Sequence, residues 1–91
     1  MAEAREVKVK RLAMRSMRRG IKEMDLILSA YANAHLAGLD DADLALYDDL
    51  LSENDHDLYA WVTGHADTPA RYAAMMNTVR AGAKGLTKPS V

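Results

Sequence analysis

The chain has 91 residues, no Cys and no Phe, one Trp and four Tyr, and a formal net charge of −1. That length fits one domain, the missing thiols exclude disulfides and thiolate metal sites, and no apolar run approaches the roughly 20 residues that a membrane span needs. The small net charge hides three blocks: residues 1–24 balance at +5, residues 25–67 at −10 without a single Lys or Arg, and residues 68–91 at +4.

In chain order, the opening MAEAREVKVKRL is charged throughout. It has no apolar h-region, so it does not read as a secretory signal; the expected location is the cytoplasm, or the mitochondrial matrix for a processed eukaryotic protein. A first helix is predicted over about Val7 to Arg18. The second carries Ile21, Met24, Leu28, Tyr31 and Ala32 on one stripe and closes near Gly38. Asp40 reads as the N-cap of a third helix, with Asp43 favouring its positive end, and that helix presents Leu44, Tyr47 and Leu51, flanked by Leu46 and Leu50. Asp55 is placed as the cap of a short fourth helix whose apolar face is Leu58, Trp61 and Val62, stopped by Gly64. Thr68-Pro69 pairs a capping hydroxyl with a proline suited to a first helical position, predicting a fifth helix with Tyr72, Met76 and Val79 on its buried side. The tail GAKGLTKPSV is expected to fray. Short connections between such helices fit a compact antiparallel bundle. The expectation is therefore one all-α domain over residues 1–91, a five-helix bundle with its ordered core at about 7–82, a flexible basic N-terminus and a flexible tail.

The motifs for catalysis are weak. His35, His56 and His65 never pair at helical ligand spacing, Ser16, Ser29 and Ser52 have no nucleophile elbow, and neither dinucleotide nor P-loop glycine pattern occurs. The acids at Asp40, Asp41, Asp43, Asp48 and Asp49 lack the central Gly and closing Glu of a calcium loop. No enzymatic activity, no bound metal and no cofactor of its own are expected, and a domain this small has little room to enclose a pocket of about 300 Å³ in its core. Of the methionines, Met24 and Met76 fit buried stripes, whereas Met14 and Met17, one turn apart on the basic first helix, stay open between core and an adaptable binding surface. Arg5, Lys8, Arg11, Arg15, Arg18 and Lys22 recur every three or four residues, a stripe that could track a phosphate backbone. The slightly acidic whole and the lack of a polar recognition helix weigh against that reading. The charge blocks either lie against each other in the bundle or steer a charged partner to one face.

One stretch concentrates charge around a glycine: MRRGIKEMD, Met17 to Asp25. Together with Leu46-Tyr47-Asp48-Asp49-Leu50-Leu51 and Asp55-His56-Asp57-Leu58-Tyr59-Ala60-Trp61 it resembles the succinate dehydrogenase assembly factor 2 family, whose members carry an RGxxE signature followed by L-x-x-L-L and D-x-D-L-x-x-W. The resemblance covers about residues 10–82 and departs at Met17, where several members carry an aromatic residue or Cys. It implies a small five-helix bundle without catalysis of its own. Such a factor binds the flavoprotein subunit of succinate dehydrogenase, and in some bacteria fumarate reductase, promotes covalent attachment of FAD to that subunit, and leaves when the iron–sulfur subunit docks. By the same resemblance Arg18, Arg19, Gly20 and Glu23 form the partner-binding surface. FAD belongs to the partner, and the free factor is a monomer with no nucleic acid partner and no insertion into a membrane. A bland alternative stands beside it: Gly20 ends a helix and Glu23 pairs with Arg19 as a capping device.

Overall fold

A computed structural model describes residues 3–83. Among them five α-helices follow one another, α1 Arg5–Met17, α2 Lys22–His35, α3 Asp41–Leu51, α4 Asp55–Thr63 and α5 Ala73–Ala83, with short 3-10 turns at Leu36–Gly38 and Ala70–Tyr72. The all-α bundle predicted from the periodicity is what forms. From residue 84 onward the Gly/Lys/Pro tail lies outside the described residues.

The helix α1 begins two residues earlier than Val7 because Arg5 is anchored. Its guanidinium donates to the carbonyls of Ala37 (3.0 Å) and Leu39, the orphan acceptors at the end of the α2 segment. Arg5 is thereby fastened to the end of the α2 segment. The chain then turns back at Arg18–Ile21, and α2 packs along α1, with α3 also against α1 and α5 against α2.

The predicted stripes form the core. Met24, Leu28, Tyr31 and Ala32 of α2, Leu44, Tyr47, Leu50 and Leu51 of α3, Leu58 and Trp61 of α4, and Met76 and Val79 of α5 are buried, joined by Leu12, Ile27, Leu36, Tyr72 and Met75. Burying such side chains stabilises by about 1.5–3 kcal/mol each, which is what holds helices this short together. One polar group enters the core without cost from an unmade bond. Ser16, wholly buried, donates to the Leu12 carbonyl (2.8 Å) and meets the Tyr47 hydroxyl at 2.6 Å. Burial pushes the Tyr47 phenol up to about 12, so it stays protonated as the partner of Ser16.

Two boundaries differ from expectation. Asn54, not Asp55, caps α4, its side chain accepting from the His56 N–H at 2.8 Å, and Asp55 is the first helical residue. Asn is as good a cap as Asp, which leaves the Asp55 carboxylate available elsewhere. Thr68 caps nothing: Pro69 opens a 3-10 turn, α5 starts only at Ala73, and the Thr68 hydroxyl accepts from Arg80 at 2.6 Å. Asp40 caps α3 as predicted, accepting from the Asp43 N–H at 2.8 Å, and Gly64 ends α4 in the left-handed region at φ 83°.

Candidate functional site

The charge blocks lie against each other across α1 and α3. Arg11 bridges Glu3 (2.9 Å) and Asp48 (3.0 Å), Arg15 binds the same Asp48, and Arg5 reaches Asp41 at 3.5 Å. Hydrogen bonds from Arg11 hold the Asp48 carboxyl below its ordinary range. Half of the basic stripe is thus neutralised inside the molecule. A phosphate-tracking role loses Arg5, Arg11 and Arg15, and with them the regular spacing that suggested it.

The loop between α1 and α2 is built on a second ion pair, better buried than those on the surface. Arg19 turns inward, with only 10% of its side chain exposed, and all three guanidinium nitrogens are engaged. Nε donates to Asp55 Oδ1 at 2.7 Å, Nη1 to the Leu51 carbonyl at 2.7 Å and Nη2 to the Glu53 carbonyl at 3.1 Å. The other Asp55 oxygen accepts the Gly20 N–H at 2.6 Å, and the Arg19 N–H is taken by the Asp25 carboxylate. One carboxylate at the start of α4 therefore clasps two consecutive residues of the loop, while the arginine closes the orphan carbonyls at the end of α3. A planar fork with fixed donors suits that task, and an ammonium does not.

The clasp also explains Gly20. Its φ is not in the positive region, so conformational freedom is not the reason for glycine. A Cβ there would stand 3.1 Å from Asp55 Oδ2, tighter than ordinary contact. The glycine serves close approach of the loop backbone to α4.

The four residues of the expected partner surface consequently divide. Arg18 and Glu23 are exposed, and neither makes an ion pair or side-chain hydrogen bond among the described residues. Arg19 and Gly20 are clasped by Asp55. The alternative in which Glu23 pairs with Arg19 is not what forms, since Asp25 and Asp55 take that arginine's donors. Sequence reasoning missed Asp55 as a site residue by assigning it the helix cap; the signal available was Asn54, a competent cap directly before it.

Elsewhere the surface holds less. An open cleft of about 360 Å³ lies between α2, α3 and α5, lined by Tyr31, His35, Leu39, Asp43, Leu46 and Met75 among others. His35 stacks on Tyr31 with ring centroids 5.0 Å apart, and His65 Nδ1 lies 2.6 Å from the Thr63 hydroxyl. Among the described residues no cluster of His, Asp and Glu is arranged to hold a metal, and no helix is long and apolar enough to cross a membrane.

A helical module that fastens a charged loop to its own fourth helix and leaves two opposite charges beside it defines a class of protein with an all-α scaffold and a presented loop. Comparison with known proteins gives the class its family. The profile described as flavinator of succinate dehydrogenase matches residues 10–83, and the chain belongs to that family of succinate dehydrogenase assembly factors. Its sequence is 44% identical over 77 residues to the mitochondrial succinate dehydrogenase assembly factor 2 of Mycosarcoma maydis, covering 85% of this chain and 32% of that protein. Over 65 residues it is 49% identical to the Meyerozyma guilliermondii factor of the same name (71% and 48%). With mitochondrial assembly factor 2-B of Drosophila mojavensis the identity is 42% over 72 residues (77% and 46%). The chain spans about a third to a half of the length of these relatives.

Proposed function

We propose that this chain binds the flavoprotein subunit of succinate dehydrogenase, or of fumarate reductase where that enzyme is present, and promotes covalent attachment of FAD to it. The observation that carries the reading is the clasped loop. Asp55 fixes Arg19 and Gly20, so the exposed Arg18 and Glu23 on either side are held at a set separation, with no side-chain partner among the described residues. Bond formation at the flavin is the cofactor's and the partner's own chemistry. The factor supplies orientation and charge: a partner region held in its productive geometry reacts as if its groups were highly concentrated. Arg18 offers a planar fork to a partner carboxylate or carbonyl edge, and Glu23 accepts from partner donors. No group of this chain enters the reaction, FAD remains with the partner, and the factor leaves when the iron–sulfur subunit covers the same region.

The test is covalent flavin on the denatured flavoprotein subunit, read by in-gel fluorescence beside thermal melts of each variant. Arg18→Ala combined with Glu23→Gln is expected to lower covalent flavin at least fivefold while the melting temperature stays within a degree or two of wild type. Normal flavinylation by a folded double variant would remove these two residues from the site.

A further inference from the structure

Three of the four large apolar side chains exposed among the described residues lie on one line of α1: Val7 (55%), Met14 (49%) and Met17 (56%); the fourth, Leu26, is on α2. Their spacing, completed by Lys10, is i, i+3, i+7 and i+10, one stripe along the outside of the helix. The inner face of the same helix is already covered, with Leu12 and Ser16 buried in the bundle. The stripe runs directly to the clasped loop. At its end Met14, Arg15, Arg18 and Arg19 line a depression of about 280 Å³. Arg15 and Arg19 meet Asp48 and Asp55, while Arg18 and Lys10 make no ion pair among the described residues.

We infer that this outer line of α1 is a docking surface for a protein segment in which an apolar side chain neighbours a carboxylate. The apolar residue packs on Met14 and Met17, whose unbranched thioethers adapt to the shape of what covers them, and the carboxylate enters the depression against Arg18. Charge complementarity selects this occupant. Among the described residues Asp41 and Asp48, the acids that face α1, are engaged by Arg5, Arg11 and Arg15, and no carboxylate of the fold reaches Arg18 or Lys10, so the acid that matches Arg18 is supplied from outside this fold. A lipid surface is disfavoured because the broad apolar face that would enter a bilayer is the one buried in the core. The inference rests on the proposed function in taking the partner to be the flavoprotein subunit, and it adds a surface about three turns long to the loop.

The experiment is titration of purified flavoprotein subunit with the full chain, wild type against Met14→Gln combined with Met17→Gln, with Leu26→Gln as control. Glutamine keeps the length and helix preference of methionine, and melts confirm that each variant is folded. The double variant is expected to bind at least tenfold more weakly and the control within twofold of wild type. Wild-type binding together with near-wild-type binding by the double variant overturns the docking surface and leaves the proposed function standing. No binding by wild type overturns both. If flavoprotein binding is retained but the double variant loses association with phosphatidylglycerol vesicles, or loses self-association in sedimentation, the line belongs to a lipid or to a second copy and the inference fails.

Discussion

At the scale of single residues, Arg19, Gly20 and Asp55 behave as one unit, and their substitutions should register in stability. Arg19→Lys keeps a charge near Asp55 but leaves the Leu51 and Glu53 carbonyls without their donors. Unmade bonds of this kind cost about 1–3 kcal/mol each. Asp55→Asn strands a guanidinium that is nine-tenths buried, and loss of one partner of such a pair costs about 3 kcal/mol or more. Gly20→Ala is milder. Crowding of Asp55 Oδ2 costs about 1–3 kcal/mol, partly offset by the roughly 0.4–1 kcal/mol that alanine gains from a less flexible unfolded chain. Thermal melts should therefore rank Asp55→Asn and Arg19→Lys well below wild type and Gly20→Ala slightly below it. A Gly20→Ala melt above wild type would mean that Asp55 yields freely and that the clasp is loose. Glycine's presence beside a signature arginine was legible in the sequence. That its neighbour is an aspartate 35 positions away was not, because local spacing says nothing about which helix end a loop will meet.

Helices α1 and α3 meet through a strip of carboxylate–guanidinium contacts, and that strip sets a pH dependence. Asp48 accepts from Arg11 and Arg15, with Glu3 sharing Arg11, and its folded pKa is depressed from 3.8 chiefly by the Arg11 hydrogen bonds. A depressed carboxyl contributes stability that is complete above its unfolded value and is lost as pH falls through the folded one. The difference in melting temperature between wild type and Asp48→Asn should hold from pH 7 to about 5 and close below about pH 3.8. A gap unchanged at pH 3 would show that these contacts, about a third exposed, contribute nothing through their charge, as many surface pairs do. The apolar stripes of α2, α3 and α5 could be read from the chain since burial follows the 3.6-residue period. Both misplaced starts, at Asp55 and at Thr68, came from capping-type side chains recruited by distant arginines, Arg19 and Arg80. Capping preference is local, and an arginine brought in from another part of the chain overrides it.

Over the whole molecule, acids from the middle of the chain engage Arg5, Arg11, Arg15, Arg19 and Arg71, and among the described residues Lys8, Lys10 and Arg18 on α1 and its loop make no ion pair. The same geometry sorts the methionines by their access to oxidants. Met24 and Met76 are sealed and Met75 nearly so, whereas Met14 and Met17 are about half exposed. Mild peroxide should convert Met14 and Met17 to sulfoxides ahead of Met24, Met75 and Met76, as peptide mass spectrometry would detect, with the melt of the bundle almost unchanged. Early modification of Met24 or Met76 would instead reveal opening of the core. A thioether that becomes a sulfoxide turns from an apolar contact into a strong hydrogen-bond acceptor, so damage at these two positions would leave a factor that is correctly folded and chemically blunted on one side. Methionine sulfoxide is enzymatically reversible. Among the described residues, the outer line of α1 is consequently where the oxidative history of the surroundings would be written.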